Sequence, residues 1–173
     1  RQMCIRDRLY LEKVDFGEPD GPRTILSGLV KFVPMDQMRD RWVVGICNLK
    51  PVAMRGIKSY GMLLCATSSD GKDSGVCPVT PPASSQVGDR VYVEGYEGME
   101  PLEQLNPKKK DVRIYHVSTQ IFEAIQPNYT TTDAMEAAWV GPLPGGPADE
   151  AKPRLLRTER GVITAPFARA SLS

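Results

Sequence analysis

The sequence predicts a mainly β fold, because its apolar residues fall in short runs that are separated by glycine- and proline-rich turns. A short helix is expected from Met35 to Asp40, since Pro34 suits the first turn of a helix. Short strands, glycines at strand ends and one inserted helix are together typical of a small Greek-key barrel of the OB type. The predicted strands are 9–16, 23–30, 42–47, 58–66, 76–79 and 90–94.

Turn residues separate these strands. The segment Glu18–Pro22 contains two prolines and a glycine, which predicts a turn between the first two strands. Gly28 lies near the end of the second strand, where a glycine marks a bulge, a barrel corner or a close approach of the backbone. The stretch 67–75 is rich in Ser, Asp and Gly and is expected to form a polar loop.

The last third of the chain is patterned less clearly. The stretch 121–126 is compatible with a helical turn that ends near Pro127. Three threonines and an aspartate at 130–133 offer N-cap side chains for a helix over 134–140. Four prolines and two glycines follow Gly141 up to Pro153, and they predict a flexible loop there.

The overall composition suits one domain, or one domain with a small annex, because the chain has 173 residues and 41% of them are hydrophobic. No apolar run approaches the length that crosses a bilayer, and charges among the first eight residues argue against a secretory signal peptide. Cys47 and Cys65 lie in apolar strands, where small buried thiols are expected. Reduced cysteines without a signal peptide predict a cytoplasmic location.

Net charge is only +1, but the charges are unevenly distributed. Residues 23–58 contain seven cations and two anions, whereas residues 89–103 contain five anions and one cation. A basic half and an acidic half in one small domain suit binding to a polyanion through one side of the molecule.

The segment from Asn48 to Met62 is the centre of the basic half. It connects the apolar runs 42–47 and 62–66, and Pro51, Gly56 and Gly61 interrupt its backbone. A loop that is held between two strands and carries several cations suits a phosphate-bearing partner, although charged loops are often only solvated surface. The cations of this segment are Lys50, Arg55 and Lys58.

The chain resembles a known family at these positions. The family-like strings are Asn48–Pro51 (NLKP), Met54–Gly56 (MRG), Ser59, Gly61–Met62, Ser27–Leu29 and Leu105–Lys110. In this order and spacing they resemble the tRNA-binding domain of aminoacyl-tRNA synthetase cofactors. That family includes the fungal-type cofactor of methionyl- and glutamyl-tRNA synthetases, the cytokine-precursor subunit of the animal multisynthetase complex, and C-terminal domains of some tyrosyl- and methionyl-tRNA synthetases.

The resemblance implies an OB-fold barrel over residues 9–106 and a C-terminal annex over 121–173 that packs on the barrel. Residues 1–8 do not resemble the family where its first barrel strand belongs, so the first strand is expected to be missing, which exposes an edge of the barrel. Residues 107–120 are a basic linker followed by an insertion, and His116 within it receives no role. The annex implies a strand near 134–140, so helix or strand stays open. It also implies a monomer that imitates a dimer.

Candidate binding residues follow from the residue types and from the resemblance. Lys50, Arg55 and Lys58 are predicted to contact phosphates. Asn48 either reads a base edge or a 2′-hydroxyl, or it fixes the turn backbone. Ser59 and Met62 match binding-face positions of the family, with burial in the barrel as the alternative for Met62, and Ser27 lies either at the nucleic acid or at a barrel corner. Lys108, Lys109 and Lys110 form either a phosphate-contacting arm or a solvated linker.

Motifs of catalysis and of metal binding are not recognisable. The sequence shows no phosphate-binding Gly-Lys-Ser loop and no Gly-x-Ser-x-Gly elbow, and its four cysteines lack the spacing of a metal site. No catalytic residue, metal or cofactor is therefore predicted. The expected function is a non-catalytic module that binds tRNA by phosphate contacts and shape for a methionyl, glutamyl or tyrosyl-type synthetase. The alternatives are a C-terminal domain of a tyrosyl- or methionyl-tRNA synthetase and a cytokine-like protein-interaction fragment.

Overall fold

The computed structural model describes residues 4–6, 8–99 and 125–173, and for 4–6 only the backbone. Within these ranges the chain is built mainly of short β-strands, as predicted, and every strand pair is antiparallel. The strands are β1 (Cys4–Arg6), β2 (Leu9–Val14), β3 (Arg23–Ser27), β4 (Gly45–Ile46), β5 (Val52–Met54), β6 (Ile57–Ser59), β7 (Met62–Leu63), β8 (Cys65–Thr67), β9 (Val76–Pro78), β10 (Tyr92–Val93), β11 (Tyr129–Thr131), β12 (Ala137–Gly141), β13 (Lys152–Thr158), β14 (Gly161–Val162) and β15 (Ser171–Leu172).

The helical elements are short. Helix α1 (Met35–Met38) starts after Pro34, as predicted, but ends two residues before the expected Asp40 because Arg39 adopts an extended conformation. Single 3₁₀ turns lie at Lys72–Ser74, Gln126–Asn128 and Ala148–Glu150. No helix in the described ranges has the length and apolar character needed to cross a bilayer.

Strands β1, β2 and β3 form one antiparallel sheet. Alternation along β2 turns Tyr10 and Glu12 towards the interior, and both are at most 4% exposed. The hydroxyl of Tyr10 donates a hydrogen bond of 2.7 Å to the carbonyl of Val33, which fastens the segment before α1 to the sheet. Strand β1 pairs only with the first half of β2, from Leu9 to Leu11.

The two strands predicted in the middle of the chain are broken. Only Gly45–Ile46 of the predicted strand 42–47 is regular, and the predicted strand 58–66 is divided into β6, β7 and β8. Gly61 lies at the first break, where an added Cβ would come within 3.1 Å of the Ile46 carbonyl oxygen and 3.2 Å of the Ile25 side chain. The backbone therefore bends there to pass close to two neighbouring strands.

The C-terminal region continues the sheet of the barrel. The largest sheet has the order β10-β13-β12-β11-β15-β8-β9, with β14 beside β13. Strand β15 pairs with β8, and Ser173 and Cys65 exchange two backbone hydrogen bonds of 2.8 and 2.9 Å. The shared core contains Val44, Leu64, Ala66, Val79, Ala137, Leu156, Ile163, Ala165, Ala170 and Leu172.

The segment 134–140 is not a helix, because Ala137–Gly141 forms β12 between β11 and β13. The residues expected to cap a helix serve other purposes. The Thr132 hydroxyl accepts a hydrogen bond from the Glu136 N–H at 3.2 Å, and the carboxylate of Asp133 binds Arg169 at 2.6 Å. Met135 has a φ of 62°, which closes a tight turn before the strand.

Glu12 is a buried carboxyl group in the barrel wall. Its Oε1 accepts a hydrogen bond of 2.6 Å from the hydroxyl of Ser27, while its Oε2 has no hydrogen-bond partner among the described residues. Burial raises the pKa of Glu12 from 4.5 to about 7, and the Ser27 hydrogen bond opposes only part of that rise. The folded protein therefore holds the Glu12 proton up to about pH 7.

A cavity of about 970 Å³ opens beside Glu12. Its wall includes Val14, Phe16, Val44 and Leu64. The same cavity reaches the segment 85–91. The strands of the described residues thus form a curled half-barrel with an open side next to β2.

We expect Glu12 to make stability depend on pH. Because the folded state binds this proton more tightly than the unfolded chain, the free energy of unfolding should fall as pH rises from about 4.5 to about 7. The expected loss is roughly 2 to 3 kcal/mol. Glu12→Gln should remove this part of the pH dependence in urea titrations performed from pH 5 to 8. The exposed Glu159→Gln is the control, and equal pH profiles for wild type and Glu12→Gln would contradict the assignment.

Because the barrel and the C-terminal region share a sheet and a core, we expect them to unfold together. Leu172 is fully buried in the core that the barrel and the C-terminal region have in common, so Leu172→Ala should lower the free energy of unfolding by about 2–5 kcal/mol. Both regions should then unfold in a single transition. Leu143→Ala, at a leucine that is 43% exposed, is the matched control. A separate early transition of the C-terminal strands would show that the two regions are independent.

Candidate nucleic-acid interface

Strands β5 and β6 form a two-stranded hairpin at the centre of the basic segment. Its turn residues Arg55 and Gly56 have φ angles of 50° and 80°, the left-handed pair that defines a type I′ turn. Glycine adopts this conformation without cost, whereas arginine rarely does. The sequence therefore places a guanidinium at the tip of a tight hairpin.

The three predicted phosphate-binding cations are all exposed. Lys58 lies on β6 directly opposite Ala53 of β5, and Lys50 and Asn48 lie just before β5. A small side chain at position 53 leaves the space beside Lys58 open to a ligand. The structure thus brings Asn48, Lys50, Arg55 and Lys58 together on and beside one hairpin.

Arg23 joins the two ends of this segment. Its Nη1 donates to the carbonyl of Cys47 at 2.7 Å and to the carbonyl of Tyr60 at 2.9 Å. Its Nε and Nη2 donate to the two carboxylate oxygens of Glu18 at 2.6 and 2.5 Å. The hydrogen bonds from Arg23 hold the pKa of Glu18 below its ordinary value. The guanidinium therefore acts as a clamp that fixes where the hairpin leaves and re-enters the barrel.

Ser59 lies beneath the hairpin rather than on its open face. It is 3% exposed, and its hydroxyl accepts a hydrogen bond of 3.0 Å from the N–H of Leu26. The same hydroxyl donates to the carbonyl of Gly61 at 2.9 Å. This position links the hairpin to β3 and to the bend at Gly61, so the contacts of Ser59 in this structure are internal.

Ser27 and Met62 are also set back from the exposed cations. Ser27 is 9% exposed and uses its hydroxyl for the bond to Glu12. Met62 is half-buried in β7, opposite Ile46 of β4. The possible basic arm Lys108–Lys110 lies outside the described residues. Within the described residues, the predicted set therefore divides into four exposed polar residues at the hairpin and three residues, Ser27, Ser59 and Met62, whose side chains are buried or half-buried.

In the sequence, Arg23 is distinguished only as one of the seven cations of residues 23–58. Glu18 lies five residues earlier across a proline- and glycine-containing turn, so their ion pair could have been anticipated from the sequence. The carbonyls of Cys47 and Tyr60 are 24 and 37 residues away, and no local pattern indicates those contacts. Within the described ranges, no group of three potential metal-ligating side chains occurs.

A family model described as "Putative tRNA binding domain" matches residues 3–90 of the chain. The match includes Arg23 and the whole hairpin with its cations. The chain belongs to this tRNA-binding domain family. The matched range starts at residue 3 and therefore includes part of the segment 1–8, which was expected not to resemble the family.

The chain is similar to parts of longer proteins. The chain is 50% identical over 133 residues to the cytoplasmic tyrosine–tRNA ligase of Gallus gallus. This match covers 77% of this chain and 23% of the ligase. It is 46% identical over 125 residues to the tRNA-aminoacylation cofactor arc1 of Schizosaccharomyces pombe. This match covers 72% of this chain and 25% of arc1. The chain thus spans about a quarter of the length of these curated relatives.

A solved structure supports the fold. The C-terminal domain of Plasmodium vivax p43 superposes with a TM-score of 0.73 at 25% sequence identity, covering 99% of this chain and 91% of that chain. The similarity includes the C-terminal strands as well as the barrel. The predicted OB-type fold is confirmed.

The clamp can be tested by removing its guanidinium. Arg23→Ala takes away the donors to Cys47 and Tyr60 and leaves the Glu18 carboxylate without this partner, so we expect a loss of about 1–3 kcal/mol in the free energy of unfolding. Hydrogen exchange should accelerate at residues 48–60. The control is Arg169→Ala, whose ion pair with Asp133 is fully exposed, so its removal should change the free energy of unfolding far less than Arg23→Ala does. Unchanged exchange in the hairpin of Arg23→Ala would rule out the clamp.

Proposed function

We propose that this domain is a non-catalytic module that binds tRNA through backbone phosphates and overall shape, and retains it for an aminoacyl-tRNA synthetase. The observation that carries the proposal is the set of exposed cations on one hairpin whose two ends are anchored by Arg23. Cations on a rigid element can meet a fixed array of phosphates without first losing the conformational freedom of a mobile loop. The hairpin therefore suits a folded RNA.

Phosphate contacts supply most of the affinity in this proposal. Each neutralised phosphate contributes about 0.7 to 0.9 to the slope of log K against log salt concentration, so three cations correspond to a slope of roughly 2 to 3. Such contacts carry no sequence information, and preference comes from the shape of the RNA and its unpaired regions. Asn48 is the polar side chain beside the cations that is suited to a base edge or a 2′-hydroxyl.

The distribution of anions supports binding through one side. In the acidic half, Asp89 contacts Arg160 at 2.9 Å and Glu94 contacts Arg157 at 4.0 Å. These pairs join the 89–94 segment to the C-terminal strands, whereas the hairpin belongs to a separate two-stranded sheet. Asp89 and Glu94 are thus paired with cations of the C-terminal region, and the hairpin presents its positive charge to a polyanion.

We further propose that the domain acts in the cytoplasm as a monomer that imitates a dimer. Strand β15 occupies the edge of β8, and the C-terminal strands bury the core that they share with the barrel. This edge and this core surface are therefore not available to a second copy. Synthetases of the methionyl, glutamyl or tyrosyl type are the proposed protein partners.

A second candidate function is the appended C-terminal domain of a tyrosyl-tRNA synthetase. The observation that favours it is the 50% identity to the Gallus gallus tyrosine–tRNA ligase, of which the matched region is 23%. Sequencing the transcript upstream of Leu9 separates the two. A catalytic Rossmann domain there would indicate a synthetase, and a lysine-rich or glutathione-transferase-like region would indicate a cofactor. A pull-down dominated by proteins after nuclease treatment would instead favour a protein-interaction fragment.

The tRNA proposal predicts that the hairpin cations determine the salt dependence of binding. Lys50→Ala, Arg55→Ala and Lys58→Ala should each weaken binding to unfractionated tRNA and reduce the salt slope by about 1. Ala53→Glu places a carboxylate opposite Lys58 and should weaken binding at least as much as Lys58→Ala. The control is Lys72→Ala, an exposed cation in the polar loop.

Fluorescence anisotropy over a salt series gives both the affinity and its slope. Slopes that equal the wild-type value in all three lysine and arginine variants would exclude this hairpin as the phosphate-binding face. A wild-type protein that does not bind tRNA even at low salt would exclude the proposed function itself.

A further inference from the structure

Tyr60 is a large aromatic side chain that remains exposed at the end of the basic hairpin. It follows β6 directly and is 43% exposed. Burying a tyrosine normally stabilises a protein, so an exposed ring beside a group of cations has potential as a binding surface. Phosphate binding by Lys50, Arg55 and Lys58 does not require an aromatic ring, so it gives no reason for the exposure of Tyr60.

The backbone of Tyr60 is fixed on both sides. Its N–H donates to the carbonyl of Thr24 at 2.9 Å, and its carbonyl accepts from Arg23 at 2.9 Å. The next residue, Gly61, accepts a hydrogen bond from the buried Ser59 hydroxyl at 2.9 Å. The Cα–Cβ bond of Tyr60 therefore has a set direction, and only its side-chain torsions are lost when a ligand covers the ring.

The pattern of exposure at the end of β6 indicates that the ring and the Lys58 ammonium lie on the same side of the hairpin. Along an extended strand alternate residues point to opposite faces, and the exposures follow this rule: Lys58 and Tyr60 are exposed, whereas Ser59 between them is buried. Ala53 lies opposite Lys58 on this face and adds no bulk. The Tyr60 ring thus offers a flat apolar surface two residues along the chain from the Lys58 cation, on the open face of the hairpin.

Trp42 is the other large aromatic side chain among the exposed hydrophobic residues of the described ranges, at 49% exposure. It borders the cavity beside β2, and the neighbouring Arg41 donates to the carbonyl of Pro78 at 3.0 Å. This cavity also reaches Asn48 at the base of the hairpin, but Trp42 itself precedes β4 and is not part of either hairpin strand. This leaves Tyr60 as the aromatic group placed to act together with the hairpin cations.

We propose that Tyr60 stacks on an unpaired nucleobase of the bound RNA while Lys58 contacts a phosphate of the same strand. Every base has a π-face, so a tyrosine platform requires an unstacked base but no particular sequence. The inference rests on the proposed tRNA-binding function and adds to it a preference for RNA that presents unpaired bases over RNA that is fully paired.

The test compares unfractionated tRNA with a blunt, fully paired RNA duplex. Tyr60→Ala should weaken binding to tRNA by roughly 5- to 100-fold, the usual effect of removing one base–aromatic stack, and leave duplex binding within about 2-fold. The salt slope should stay at the wild-type value because the lost contact is uncharged. Lys58→Ala should show the opposite signature, with weaker binding to both RNAs and a smaller slope.

Two further variants separate stacking from packing. Tyr60→Phe keeps the ring and should bind tRNA within about 3-fold of wild type, whereas Tyr60→Leu keeps apolar bulk without a π-face and should resemble Tyr60→Ala. Tyr60→Trp should bind, and its indole fluorescence should be quenched by tRNA and not by the duplex. The two native tryptophans set the baseline in the wild-type protein.

The outcomes discriminate between this inference and the function on which it rests. If wild type binds tRNA and Tyr60→Ala binds equally well, or loses the same factor on the duplex, the stacking role is overturned and phosphate binding stands. If the wild-type protein does not bind tRNA, the proposed tRNA-binding function is overturned, and the stacking inference that rests on it is overturned as well. Should Tyr60→Ala not fold, the comparison of Tyr60→Leu with Tyr60→Phe decides the question.

Discussion

The hydrogen bonds of the Arg23 guanidinium are the constraint on which the candidate interface depends. One planar group reaches the carbonyl groups at both ends of the basic segment and is itself oriented by the Glu18 carboxylate. The two-residue turn and the short strands of the hairpin would be marginal in isolation. Anchored at both ends, the hairpin becomes a rigid support for its cations, and its position relative to the barrel is defined.

The barrel provides that support only together with the C-terminal strands. Strand β15 closes the edge of β8 and strand β13 pairs with β10, so the C-terminal region and the barrel share backbone hydrogen bonds as well as a core. A region expected to pack on the barrel as an annex is thus part of its largest sheet.

Sequence patterns predicted the elements whose determinants are local. The start of α1 follows from Pro34, and the backbone break expected at Gly56 is found there as the turn between β5 and β6, where Gly56 has positive φ. The sequence left helix or strand open near 134–140, and the structure has a strand there, because Thr132 and Asp133 make turn and ion-pair contacts and β12 pairs with β11 and β13. The orientation of the Ser27 and Ser59 hydroxyl groups also does not follow from the sequence, because a serine can face either a ligand or the protein interior. In the structure the Ser59 hydroxyl bonds to the backbone, and the Ser27 hydroxyl bonds to the buried carboxyl group of Glu12.

The sequence by itself determined the fold class, the family resemblance and the place of the cationic segment, because these depend on residue order, turn residues and charge along the chain. Only the tertiary structure decided which of the candidate residues share a surface, that Arg23 anchors them, and that Tyr60 stands exposed beside Lys58. The physical reason is distance along the chain: the contacts of Arg23 span 24 and 37 residues, and burial is a property of the packed fold.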